Sequence, residues 1–254
     1  MTMLTRWHDD QSRPTLKEAA RDLGVRVLLP LSGWFLVVVA IGWSIADGPL
    51  QDLGIREERF NRWLESGRTS LLDNITLFFS WTGATVSIIG VCLIVVALVW
   101  WRTRQWWYAV IPLIAISAQA LVFLFTTLLI DRQRPEVEKL DDSPPTSSFP
   151  SGHTGAATGL YFTLALMALR IKHPGVRAVV VTLCVAVPLL VGSARLYRGM
   201  HHLSDVLVAI VNGVIAGLLA WNWLRRDPAP NSTRDSENEA GRTETERRPD
   251  QTLA

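Results

Sequence analysis

The sequence predicts an all-α fold, a polytopic membrane protein arranged as a six-transmembrane-helix bundle. Two observations lead there. Of 254 residues, 49% are hydrophobic and only 19% are charged, below the roughly 25% of ordinary soluble chains. The charge is also segregated, leaving six long stretches with almost no ionisable side chain. A hydrocarbon core of about 30 Å takes roughly 17–25 helical residues to cross, and each stretch approaches or exceeds that length. Because lipid offers backbone N–H and C=O groups no partner, such spans are helical. The same segregation argues against a conventional soluble domain, and a net charge of +2 without a basic stripe argues against nucleic acid as a partner.

Taken in order, residues 1–26 form a basic N-terminal segment with Arg6, Arg13, Lys17, Arg21 and Arg26. The first span, 27–46, is too long for the apolar core of a signal peptide and is followed by no convincing cleavage site. In 47–70, apolar residues interleave with Arg56, Arg59, Arg62 and Arg68, which predicts a short amphipathic helix on the outer surface, a solvated connector rather than a lid. The second and third spans, 74–101 and 105–130, are joined by a tight basic turn. Spans four to six, 154–169, 178–194 and 206–224, follow, the fourth and fifth at the short end. Arg102, Arg104, the loop 170–177 and the pair Arg225 and Arg226 carry bases and no acids, so they are expected on the cytoplasmic side with both termini. The membrane domain is therefore expected over 27–226, with 227–254 a disordered cytoplasmic tail that has no apolar periodicity. Cys92 and Cys184 fall inside apolar stretches and support neither a disulfide framework nor a zinc site. Two small-residue pairs, Gly155 with Gly159 and Gly213 with Gly217, predict close helix packing.

The chemistry collects at the ends of spans three to six, which alternating topology places on one outer face. Asp131-Arg132-Gln133-Arg134-Pro135 follows span three, Phe149-Pro150-Ser151-Gly152-His153 enters span four, and Ser193 through Arg195, Arg198 and His201 to Asp205 joins spans five and six. Guanidinium groups fit phosphate oxygens in a bidentate fork, and Ser151 with the Gly152 N–H at a helix start adds donors where the helix dipole favours an anion. His201 with a carboxylate four residues on, Asp205, has the spacing for an acid that fixes the ring tautomer and stabilises the imidazolium. His153 is then available to protonate a leaving oxygen, with arginines supplying the positive charge in place of a metal.

Arg134-Pro135, Pro150-Ser151-Gly152-His153, and Arg195 through His201 to Asp205 resemble the three signature motifs of the type 2 phosphatidic acid phosphatase family, which is related to vanadium haloperoxidases. The resemblance covers roughly residues 71–224. It implies a metal-independent membrane phosphatase with no cofactor, acting on a lipid phosphate through a phosphohistidine, with its site facing away from the cytoplasm. It implies His201 as nucleophile, Asp205 as its orienting partner and His153 as general acid, with Arg134, Arg195, Ser151 and Gly152 holding the phosphoryl oxygens. Two positions depart from the pattern. The family's Lys, seven residues before the Arg of Arg-Pro, is Thr127 here, and the Ser that commonly precedes the third motif's Arg is Ala194, with Ser193 one place earlier. Arg132, Arg198 and Lys139 are candidates to replace the missing cation. A catalytically impaired relative that binds or transports lipid phosphate is the alternative reading.

Overall fold

The computed structural model describes residues 14–142 and 146–223, which form ten α-helices with no β-strand among them. Helices α1 (Leu16–Leu23) and α2 (Leu29–Ala46) are joined by a π-helical turn, Gly24–Leu28, into one helix of 31 residues. The first span therefore starts well before residue 27. Thr15 and Glu18 form a capping box that satisfies the first free N–H groups, a signal that hydropathy does not register. There follow α3 (Asp52–Ser66), α4 (Ser70–Thr82), α5 (Thr85–Thr103), α6 (Trp106–Ala109), α7 (Ile111–Leu129), α8 (Gly152–Ala168), α9 (Pro174–Tyr197) and α10 (Leu203–Asn222).

Among the described residues, five helical stretches are long and apolar enough to cross a membrane: Leu16–Ala46, Thr85–Thr103, Trp106–Leu129, Pro174–Tyr197 and Leu203–Asn222. The sixth member, α8, has 17 residues and packs against α7, α9 and α10. Surrounded by protein, it can carry buried threonines. Thr158 and Thr163 donate to the carbonyls of Thr154 and Gly159 at 2.7 and 2.8 Å, so neither hydroxyl is left unpaired. Large apolar side chains such as Val86, Leu128 and Leu93 point outward from α5 and α7, as lipid-facing surfaces require. The protein is thus an all-α polytopic membrane bundle.

The second span departs from expectation. Hydropathy runs unbroken over 74–101, yet the helix ends at Thr82 and restarts at Thr85, with Ala84 extended at φ −66° and ψ 148°. Tertiary packing decides the break: α4 leans on α9 so closely that a Cβ on Gly83 would lie 2.5 Å from Val191 Cγ1. Of the two, only α5 is long and apolar enough to cross, and α4 is left beside the site. The small-residue pairs behave as predicted. A Cβ on Gly213 would lie 2.5 Å from Thr158 Cβ and 2.7 Å from the Gly159 nitrogen, so α8 and α10 touch backbone to backbone. Inside the bundle, Trp34 Nε1 donates to Asn212 Oδ1 at 3.0 Å and Asn212 Nδ2 to the Gln119 carbonyl at 3.3 Å, tying α2, α10 and α7.

At one end of the bundle Arg170 stacks over Tyr108 and Trp221, 4.3 and 5.0 Å from the ring centres. Arg6, Arg13, Arg225, Arg226 and the tail 227–254 lie outside the described residues. Cys92 and Cys184 are buried free thiols.

Candidate active site

The end of the bundle remote from Arg170 holds the motif residues. After α7 the chain crosses the helix ends, held by Ser148 N–H to the Arg132 carbonyl at 2.8 Å and Ser151 N–H to the Asp205 carbonyl at 3.1 Å. The α9–α10 turn needs Gly199, whose φ of +69° lies in the region open to glycine and whose added Cβ would lie 2.7 Å from the Glu138 oxygen. Beyond it, Arg134 Nη1 donates to the Met200 carbonyl at 2.8 Å. His202 caps α10, and its N–H donates to Asp205 Oδ2 at 2.8 Å.

His201 is 4% exposed, and its Nδ1 lies 2.8 Å from the Ser148 carbonyl oxygen. A carbonyl only accepts, so the proton sits on Nδ1 and the lone pair on Nε2. The expected direct partner stands back: Asp205 Oδ2 is 3.7 Å from that Nδ1, too far for a hydrogen bond. The four-residue spacing spans the start of a helix, since α10 begins at Leu203 and His201 precedes it. Asp205 instead accepts from the Ser148 hydroxyl, the His202 N–H and Arg132, so it bears on His201 through Ser148 and through its charge. His202 is buried beneath α3 with Nε2 3.7 Å from Glu58.

A cavity of about 800 Å³ is lined at this end by His153, His201, Gly152, Arg134, Arg195 and Asp141. Two expected site residues lie behind it. Asp205 is fully buried, and the buried Ser151 hydroxyl lies 2.9 Å from Thr154 Oγ1, away from the lining. None of the three proposed substitutes for the missing cation serves. Arg132 is buried against Glu57 Oε2 at 2.6 Å and against Asp205 and Ser204. Arg198 is spent on Asp141, the Asp73 and Leu140 carbonyls and Thr76, and Lys139 is exposed away from the lining. Thr127 donates to the Leu124 carbonyl at 2.9 Å, and Ser193 faces outward beside the buried Ala194. Arg134 and Arg195 are therefore the two guanidinium groups on the cavity wall, and each has a buried Nε without a partner among the described residues.

Burial pushes the His201 imidazole below its ordinary value, Asp205 works against this, and Arg195 and Arg134 reinforce it. Burial alone would raise the Asp141 carboxyl, but Arg198 and Arg195 outweigh it and hold the group below the usual carboxylate range. Burial also lowers the Arg134 guanidinium, with Asp205 opposing. Among the described residues, no three His, Cys, Asp or Glu side chains converge as a donor set for a metal ion.

Four side chains that the motifs do not contain complete the arrangement. The 47–70 segment, expected as a connector, folds α3 over the site: Glu57 accepts from Arg132 and from the Ser204 N–H at 2.6 Å, and Asn61 Nδ2 donates to the His201 carbonyl at 3.1 Å. Ser80 of α4 and Asp141 both engage Arg195 Nη1, at 2.7 and 2.6 Å. The one sequence signal was Glu57 itself, an acid within an arginine-rich amphipathic run.

Two solved structures share the fold. A transmembrane PAP2-type phosphatidylglycerolphosphate phosphatase from Bacillus subtilis superposes with a TM-score of 0.65 at 22% identity, covering 78% of this chain and 96% of the other. LpxE from Aquifex aeolicus superposes with a TM-score of 0.51 at 21% identity, covering 64% and 93%. No curated protein matches the sequence. Residues 106–228 match the PAP2 superfamily, a region that contains all three motifs. That region is what makes the chain similar to the PAP2 superfamily.

Proposed function

We propose that the protein is an integral-membrane phosphatase that removes a terminal phosphate from an amphiphilic monophosphate or diphosphate ester, isoprenoid or glycerolipid, through a phosphohistidine intermediate and without a metal. The observation that carries this reading is the two-sided lining of one cavity. His153, His201, Arg134 and Arg195 form one wall, and Ile88, Ile89, Leu93, Leu113 and Leu124 of α5 and α7 form another. Ile89, Leu93, Leu113 and Leu124 are also exposed on the flank of the bundle, so the cavity opens toward lipid. A phosphate head group suits the first wall and an acyl or isoprenoid tail the second.

His201 Nε2 attacks phosphorus in line, the P–O ester bond breaks, and His153 protonates the departing oxygen. Water, deprotonated by His153, then attacks the phosphohistidine; the P–N bond breaks, releasing inorganic phosphate and restoring His201. Arg134, Arg195 and the Gly152 N–H meet the charge on the equatorial oxygens in both steps. The basic residues Arg102, Arg104, Arg170, Lys172 and Arg177 sit at the opposite helix ends, which supports a cytoplasmic placement for that side and for both termini, with the site facing away.

The test is phosphate release by purified protein from phosphatidic acid, phosphatidylglycerol phosphate and undecaprenyl diphosphate. His201→Ala is expected to lose several orders of magnitude, while His173→Ala, in the loop before α9, retains activity, and EDTA leaves the wild type active. Full activity in His201→Ala, or chelator inhibition rescued by a divalent ion, refutes the scheme. A protein that binds these lipids without His201-dependent turnover is a binding or transport relative instead.

A further inference from the structure

One of the two phosphate-facing guanidinium groups is already engaged by an anion of the chain. Arg195 Nη1 donates to Asp141 Oδ2 at 2.6 Å. Arg198 holds the other carboxylate oxygen, Oδ1, with Nε at 2.8 Å and Nη2 at 2.7 Å. A carboxylate between two guanidinium forks occupies the kind of position these cations offer to phosphate oxygens. Asp141 also lines the cavity that holds His153 and His201. Its side chain is 18% exposed against 5% for Arg195, so of the two partners it is the one nearer to open space. Neither arginine depends on it alone. Arg195 retains Ser80, and Arg198 retains the Asp73 and Leu140 carbonyls and Thr76.

Resting on the phosphatase reading, we propose that Asp141 competes with the phosphoryl group for Arg195 and so sets the affinity of the cavity for phosphate. A phosphate entering the cavity meets a like charge on its binding cation and gains the Arg195 donor only as the Asp141 carboxylate gives it up. Substrate and inorganic phosphate are weakened alike. The product therefore leaves more readily, and an ester offsets the loss through the binding of its tail in the apolar half of the cavity. Asp141 touches no reacting atom in this scheme, and its effect lies in affinity.

The experiment compares wild type, Asp141→Asn and Asp141→Ser, purified in detergent. It reads KM and kcat for a short-chain phosphatidic acid, the inhibition constant of inorganic phosphate, and phosphate binding by calorimetry. Removing one competing charge-assisted hydrogen bond is expected to tighten phosphate and lower KM about tenfold, or about 1.4 kcal/mol, with kcat unchanged or reduced by slower product release. Higher KM and weaker phosphate binding in both variants would make Asp141 a positioning group for Arg195 and overturn the proposal, as would unchanged constants. Failure of both variants to fold would assign the carboxylate a structural role and also overturn it. A wild type without His201-dependent hydrolysis fails the phosphatase reading itself. A hydrolysing wild type whose variants bind phosphate no more tightly fails this inference alone.

Discussion

Replacing Glu57 tests whether α3 is part of the site. The side chain accepts from Arg132 Nη2 at 2.6 Å, the Ser204 N–H at 2.6 Å and the Ser204 hydroxyl at 3.0 Å. Glu57→Ala removes all three bonds and leaves Arg132 buried, its side chain 6% exposed. Breaking a buried ion pair from one side costs about 3–5 kcal/mol. Arg132 keeps Asp205 and the Ser204 hydroxyl as partners, so the lower end applies, about 3 kcal/mol, or roughly a hundredfold in the unfolding equilibrium. Glu57→Gln preserves shape and one acceptor for the Ser204 N–H but loses the charge, costing about 1.5 kcal/mol, the low end for a hydrogen bond to a charged group. Unfolding in mixed micelles of increasing SDS content reads these differences. Turnover per folded molecule is expected to fall in the same order, because α3 also supports the His201 carbonyl through Asn61. A Glu57→Ala protein as stable and as active as wild type would refute the reasoning, and so would a Gln variant worse than Ala.

In the proposed mechanism the neutral His201 imidazole is the nucleophile, and burial places its titration below the usual value of about 6.5. Protonation silences it, so kcat/KM is expected to fall on acidification only below that pH and to show no His201 limb above it; an acid limb centred above pH 7 would sink the assignment. Thr127→Lys puts an ammonium one turn beyond Phe123 and Leu124, which line the cavity, so vanadate and phosphate should bind more tightly. Unchanged inhibition constants would place position 127 out of reach. Gly213→Ala sets a methyl 2.5 Å from Thr158 Cβ and 2.7 Å from the Gly159 nitrogen, both fixed to backbone. Overpacking of this kind costs about 1–3 kcal/mol, and stability equal to wild type in the SDS titration would mean that α8 and α10 separate freely.

The sequence alone reaches the all-α class and most of the spans, because exclusion of charge over a helix of membrane length is a local property. It also reaches His153, His201, Arg134, Arg195 and Gly152, which contiguous motifs carry and which the fold brings to one cavity. What it misses depends on which surfaces meet. The break at Gly83 has no hydropathy signature and follows from the closeness of α4 and α9. The role of α3 is invisible because Glu57 and Asn61 lie far from their partners in sequence, 75 residues from Glu57 to Arg132, 147 from Glu57 to Ser204 and 140 from Asn61 to His201.

The charges divide along the same line. From spacing, Asp205 pairs with His201, and Arg132 is one of three candidates to replace the missing cation. In the folded protein the start of α10 turns Asp205 toward Ser148 and Arg132, and α3 neutralises Arg132 with Glu57. Residue type and order determine that cations and imidazoles gather at one end of a membrane bundle. Which cation is free to meet an anion is decided by tertiary structure, because a buried charge takes the nearest opposite charge in space, and sequence distance places no limit on which that is.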